Sequence, residues 1–220
     1  MEASDTGRNL SRGDLFHHHS GADRGPGGQP VRPRTRPDVS VARWAIFLRG
    51  VNVGGHGKLP MADLRRALTG IGAENVATYI QSGNIVMDHP DQAPTDIAAS
   101  VSDLVEAEFG FRPDAVALSP DALDDLIAAI PQPETVDAKN IHVYLCDGAP
   151  PTGLASHLAR YCTQGEEILA LPRAVVVLAP NGIGRSKLAA PLDRHLKNSA
   201  TARNLNSLRK VQALLKGQSR

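Results

Sequence analysis

Cysteine and aromatic residues are scarce, and each shortage removes a class of function. Only Cys146 and Cys162 occur, outside any CxxC pair. That leaves no disulfide framework and no cysteine-based zinc site, and two partly buried thiols suit a reducing cytoplasm. Aromatics make up 4% of the 220 residues, too few for a platform that stacks single-stranded bases. No apolar run approaches the ~18 residues of a membrane-spanning helix. The opening MEASDTGRNLSRGDLFHHHS carries no apolar stretch of a secretory leader. No membrane partner is therefore expected, and the expected location is cytoplasmic. His56, His89, His142, His157 and His195 fall at no metal-binding spacing, and His17–His19 is too short a tract to form a site. Neither a metal nor a cofactor is expected.

The formal net charge of +1 hides a strong segregation. Residues 88–147 hold 13 acidic and 2 basic side chains, whereas residues 185–220 hold 9 basic side chains and the single acid Asp193. Such a division serves an anionic ligand, an attraction between the two regions, or simply solvated helix faces.

Residues 1–42 have no periodic apolar pattern, and GADRGPGGQPVRPRTRP cannot bury enough surface to offset its ordering entropy. The segment reads as a disordered tail, and Val39 or Val41 is an alternative start of the natural chain. From Trp44 the signals alternate. Ala45–Arg49 reads as a buried strand, and Met61–Ile71 as a helix with Pro60 at its start. Val76–Gln81 and Asn84–Asp88 read as a hairpin across Ser82–Gly83, Thr95–Phe109 as a helix and Ala115–Leu118 as a strand. This βαββαβ order is the split βαβ, or ferredoxin-like, unit. After the helix at 120–130 and a break at PQPE the pattern restarts. Ile141–Cys146 is expected as a strand, Thr152–Tyr161 as a helix, and Glu166–Leu171 with Arg173–Leu178 as a second hairpin. Ser186–Leu196 and Thr201–Leu215 are expected as helices, with Pro191 kinking the first or delaying its start. The expectation is an α+β chain of two tandem ferredoxin-like units, residues 43–119 and 136–216, joined through a helix and linker at 120–135. The second unit would carry the basic helices.

The polar chemistry gathers in three places. LRGVNVGGHGKLP at 48–60 runs from the first strand into the first helix. Its glycines admit left-handed backbone and close approach of N–H groups, the helix start points its positive dipole end at the loop, and Arg49 and Lys58 flank it. In a βαββαβ unit the hairpin turn falls at the same sheet edge, so Gln81-Ser82-Gly83-Asn84 should adjoin this loop. The loop fails the P-loop pattern, with Asn52 at the first glycine position and Leu59 after the lysine, and it fails the dinucleotide pattern GxGxxG. The second place is Asn181-Gly182-Ile183-Gly184-Arg185-Ser186-Lys187, where Ser186 suits a helix cap between two cations. The third is Thr201-Ala202-Arg203-Asn204, where Thr201 or Asn204 suits a cap. A catalytic reading finds little support. No GxSxG elbow surrounds Ser82, and His56 in the glycine loop is the one histidine placed for acid–base work. Whether any reaction is catalysed stays open at this level.

LRGVNVGGHGKLPMADLRRAL, TYIQSGNIV, GIGRSKLAA and TARNLNSLRKV, in that order, resemble the signature blocks of the domain-of-unknown-function family 1697, over about residues 43–215. That family is bacterial and has no established activity. The resemblance implies a two-part α+β fold of ferredoxin-like character. The family's last block usually reads like TTRNWNT, whereas Ala202, Leu205 and Ser207 stand here, so an aromatic surface at this point is missing. The functional expectation is an uncharacterised cytoplasmic protein that binds an anionic small molecule, a nucleotide or phosphorylated metabolite. Arg49, Asn52, Gly54, Gly55 and Lys58 would cradle it, with Gln81, Ser82 and Asn84 beside them. Arg185, Ser186, Lys187 and Arg203 would close the site if the two units face each other. The alternatives are a nucleic-acid module that uses the basic C-terminal segment, and a purely structural or interaction module.

Overall fold

The computed structural model describes residues 41–90, 93–196 and 200–217. The tail expected over 1–42 lies outside these residues except for Val41 and Ala42. The chain runs β1 (Ala42–Leu48), α1 (Met61–Gly70), β2 (Glu74–Tyr79), β3 (Asn84–His89), α2 (Pro94–Phe109), β4 (Ala115–Leu118) and α3 (Pro120–Ala129). It continues with β5 (Ile141–Cys146), α4 (Leu154–Leu158), β6 (Glu167–Leu171), β7 (Ala174–Leu178), α5 (Ala189–Leu196), β8 (Ala200–Asn204) and α6 (Leu205–Leu215). Two four-stranded antiparallel sheets result, in the orders β2-β3-β1-β4 and β6-β7-β5-β8. The fold is α+β, as the alternating pattern leads one to expect, and both sheets have the strand order of a split βαβ unit.

The sequence reading needs one correction. Residues 201–204 begin no helix; Ala200–Asn204 is a strand that pairs with β5 from His142↔Asn204 to Cys146↔Ala200. The second sheet thereby acquires its fourth strand. The helix starts only at Leu205, where the Asn204 side chain accepts from Ser207 N–H at 2.9 Å. Pro191 delays α5 rather than kinking it. The helix begins at Ala189 and the proline is buried in its first turn, where no intrahelical donor is required of it.

Packing explains why both sheets need helices on two sides. Trp44, Ile46, Leu48, Ile85 and Met87 face α1 and α2, while Tyr144, Cys146, Val175 and Val177 face α4 and α5. The opposite faces of both sheets, through Phe47, Val86, Val143 and Val176, share one core with Leu123 and Ile127 of α3 and with Leu205, Leu208 and Val211 of α6. The two central helices also absorb part of the charge segregation. Lys216 pairs with Asp124 at 2.8 Å, Gln212 donates to the same carboxylate at 2.6 Å, and Arg209 reaches Gln132. Among the described residues no helix is long and apolar enough to cross a membrane.

His142 sits half-buried in β5, and burial pushes its imidazole below its ordinary value of 6.5. A base whose folded pKa is depressed leaves the unfolded chain binding more protons, so stability rises with pH across the window. The His142 contribution should be complete above about pH 6.5 and lost as the pH falls below it. Urea unfolding at pH 7.5 and pH 5.5 should show this loss, and His142→Gln should reduce it. An equal loss in the variant would assign the pH dependence to other groups.

Candidate functional site

Topology delivers the first loop and the first hairpin turn to one edge, and the structure locks them there. Leu48 N–H donates to Gly83 O at 2.8 Å, and Arg49 N–H to Asp114 O at 2.8 Å. Asn52, in the left-handed region at φ 54°, is the organiser of the loop. Its Nδ2 donates to Leu59 O and Gln81 O at 2.9 and 2.8 Å, and its Oδ1 accepts from Leu59 N–H at 2.9 Å. With both N–H donors and one acceptor lone pair used, Asn52 holds the loop against the hairpin and has no donor left for an anionic ligand. Residues 52–57 close on themselves through Asn52 N–H to Gly57 O and His56 N–H to Val53 O. Gly54, Gly55 and His56 occupy the exposed outer part of this small reversal.

Arg203 reaches this edge from the second sheet. It is 8% exposed, and all five of its N–H groups find protein acceptors. Nε donates to Asn84 Oδ1, Nη1 to Thr201 Oγ1 and Ala202 O, and Nη2 to Leu48 O and Ser82 O at 2.8 and 2.7 Å. Thr201 adds its own bond to Leu48 O at 3.1 Å. Asn84, fully buried, donates to Tyr79 O and Ser82 Oγ while it accepts from Arg203. The guanidinium has no carboxylate partner among the described residues, and burial pulls its pKa down to about 10, so it stays charged at neutral pH. Arg203 and Asn84 thus join the two sheets with their donors committed; Arg203 still contributes positive potential.

Beside this junction lies a cleft of about 210 Å³. Arg49, Gly50, Val51, Ser82, Tyr144, Asp193 and the strand Ala200–Arg203 contribute to its lining. Arg49 Nη1 donates to Ala200 O at 2.9 Å, and the rest of its fork has no protein acceptor among the described residues. The backbone N–H groups of Gly50 and Val51 likewise find no protein acceptor among the described residues. Ser82 Oγ accepts from Asn84, which leaves its O–H free to donate. β8 is the edge strand of its sheet, and an edge presents unpaired backbone groups to whatever lies alongside.

The candidate residues therefore separate. Arg49, Ser82 and Arg203 meet at the cleft, with Asn52 and Asn84 as the scaffold behind them. Lys58, Gln81, Gly54 and Gly55 are close in sequence but do not line it. The loop of Arg185, Ser186 and Lys187 is held elsewhere, against the segment 164–166. Gln164 Nε2 donates to Arg185 O, and the Ser186 hydroxyl bonds the buried Glu166 carboxylate. Burial alone would raise the Glu166 pKa; the Ser186 bond and the N–H groups of Gln164, Glu166 and Thr163 outweigh it and hold it low. Ser186 also accepts from Leu188 N–H, so its role is local capping. Two cleft residues carry no sequence signal, Tyr144 within an apolar strand and Asp193 as the single acid of a basic segment.

A second cleft of similar volume flanks Ala200–Thr201 on the side of α2. It is lined by Asp114 and Asp147, and its one cation, Arg112, is already paired with Asp103 and Glu106. That balance does not suit an anion. Among the described residues no group of three or more metal-binding side chains occurs.

Comparison with known proteins bears on family and fold. The model of a family described as a protein of unknown function, DUF1697, matches residues 41–176. The solved structure of a conserved bacterial protein from Streptococcus pneumoniae is similar, with a TM-score of 0.65 and 21% identity. The match covers 80% of this chain and 99% of that one. No curated protein matches significantly.

Proposed function

The chain belongs to the DUF1697 family of bacterial proteins of unknown function, and we propose that it binds an anionic small molecule, a nucleotide or phosphorylated metabolite, in the cleft between the glycine loop and β8. One observation carries this reading. The Arg49 guanidinium, anchored by a single arm to Ala200 O, keeps unclaimed donors beside the unpaired N–H groups of Gly50 and Val51. Unpaired amides next to a cation suit a phosphate or carboxylate group. Arg203, buried without a counter-charge, adds positive potential from behind. The two free thiols suit a reducing compartment, and we place the protein in the cytoplasm on that ground.

The nucleic-acid alternative has less to use. A ferredoxin-like unit that reads RNA presents an open sheet face with aromatics, and here both faces of both sheets are packed against helices or shared core. No specific observation favours that reading.

Thermal unfolding against inorganic phosphate, nucleoside monophosphates and sugar phosphates tests the proposal. A ligand at one hundred times its Kd should stabilise the chain by about 2.7 kcal/mol. At about 2–4 °C per kcal/mol this raises Tm by roughly 5–10 °C. Arg49→Ala should abolish most of that rise, read as the ligand-induced shift rather than as absolute Tm. A shift of equal size in the variant would remove Arg49 from the site.

A further inference from the structure

The Tyr144 hydroxyl has no place in the account above. The residue is 9% exposed, its ring is packed in the core of the outer face of the second sheet, and it lines the cleft. Its O–H has no protein acceptor among the described residues and is open to the cleft, where a ligand hydroxyl can take the place of water. Asp193 lines the same cleft, close enough for its charge to act on the phenol, and has no protein donor of its own among the described residues. Burial first, and Asp193 second, push the tyrosine pKa up to about 12, so at neutral pH the group is a neutral O–H able both to donate and to accept.

These two groups stand apart from the anion-binding end. Arg49 is fixed at Ala200, whereas Tyr144 pairs with Ala202, two residues further along β8. The two anchoring backbone positions on β8 lie about 7 Å apart, the scale of a phosphate carrying a short polyol chain. An aspartate that faces an otherwise cationic cleft works against a bare anion and in favour of a ligand that brings donors of its own. The volume, about 210 Å³, also lies below the ~300–1,000 Å³ of sites that enclose drug-sized ligands.

Building on the anion-binding reading proposed above, we infer that the ligand is a small phosphorylated polyol or sugar, its phosphate held by Arg49 and the Gly50–Val51 amides, its hydroxyls read by Tyr144 and Asp193. A short polyol phosphate fills a cleft of this volume more completely than a nucleotide does.

The experiment compares glycerol 3-phosphate, methyl phosphate, inorganic phosphate and adenosine monophosphate by calorimetry and thermal shift. The wild-type chain, Tyr144→Phe and Asp193→Asn are each tested. Tyr144→Phe keeps the buried ring and removes only the oxygen, and Asp193 is exposed, so both variants should fold. Glycerol 3-phosphate should bind at least tenfold more tightly than methyl phosphate. Each variant should erase most of that advantage and leave methyl phosphate affinity within about twofold. Equal binding of the two phosphates by the wild type, or an advantage that survives both substitutions, overturns the hydroxyl-reading end while the phosphate end stands. Tighter binding of adenosine monophosphate than of glycerol 3-phosphate overturns the size argument. Absence of binding by every probe, inorganic phosphate included, overturns the anion site itself and this inference with it.

Discussion

Arg203→Ala should lower the unfolding free energy by about 3 kcal/mol, a large part of the ~5–15 kcal/mol a folded domain has to lose. Five N–H donors disappear at once; the fully buried Asn84 Oδ1 loses its partner, and so do Ser82 O and Ala202 O at the rim of the cleft, where water replaces part of what they lose. The orphaned Asn84 acceptor costs about 1–3 kcal/mol, and the lost link between the sheets adds to it, which together outweigh the relief gained by removing a charge that burial disfavours. Leu48 O is spared, because Thr201 still donates to it. Lysine should rescue little. It keeps the charge, but its compact head cannot span acceptors on three chain segments as a planar fork does. Urea unfolding of Arg203→Ala, Asn84→Ala and the double variant gives the test, with a coupling of about 1–2 kcal/mol expected between residues that share one bond. A loss below 1 kcal/mol in Arg203→Ala, or strict additivity with Asn84→Ala, would mean that the two sheets are held by apolar packing alone.

Much of this molecule is legible in the residues, and the parts that are not share a physical cause. Periodicity and punctuation mark β1 to α3, because each element there is bounded by glycine or proline and has a strong stripe. Topology alone places the 50–58 loop beside the 81–84 turn, since a βαββαβ order leaves both at one sheet end. β8 escapes because Ala200-Thr201-Ala202-Arg203-Asn204 has weak β-propensity and runs directly into the apolar stripe of α6. Its strand character comes from pairing with β5, a tertiary cause. The site divides the same way. Asn52 and Ser186 are chemically fit to read a ligand and equally fit to organise a loop, and only their hydrogen-bond partners distinguish the two roles. The cations at 185–187 resemble those at 49–58 in composition yet belong to a loop tied to residues 164–166. Tyr144 reads as one more apolar strand residue. Its unpaired hydroxyl exists only in three dimensions, where β8 and α5 leave room for a cleft.

Gly83→Ala should cost about 3 kcal/mol, and Gly110→Ala, its control, about 1 kcal/mol. Both glycines hold left-handed backbone, at φ 72° and 76°, so both pay the penalty a side chain meets there. They differ in what a Cβ would strike. At Gly110 nothing lies within 4 Å, whereas at Gly83 the new atom would fall 2.7 Å from Val51 Cγ2 and 2.8 Å from Leu48 Cβ. Neither neighbour can swing away cheaply. Leu48 is fully buried and its N–H is bonded to Gly83 O at 2.8 Å, and Val51 is 2% exposed. The displacement would instead pass into the Gly50–Val51 segment that lines the cleft. Gly83→Ala should therefore also weaken phosphate binding, by about tenfold if Val51 moves enough to lose one hydrogen bond, while Gly110→Ala should leave binding unchanged. Chemical denaturation measures the first difference and calorimetry with inorganic phosphate the second. Equal destabilisation of the two variants would show that the Leu48–Val51 wall yields without strain; a normal phosphate affinity in a destabilised Gly83→Ala chain would separate the anion site from the hairpin turn.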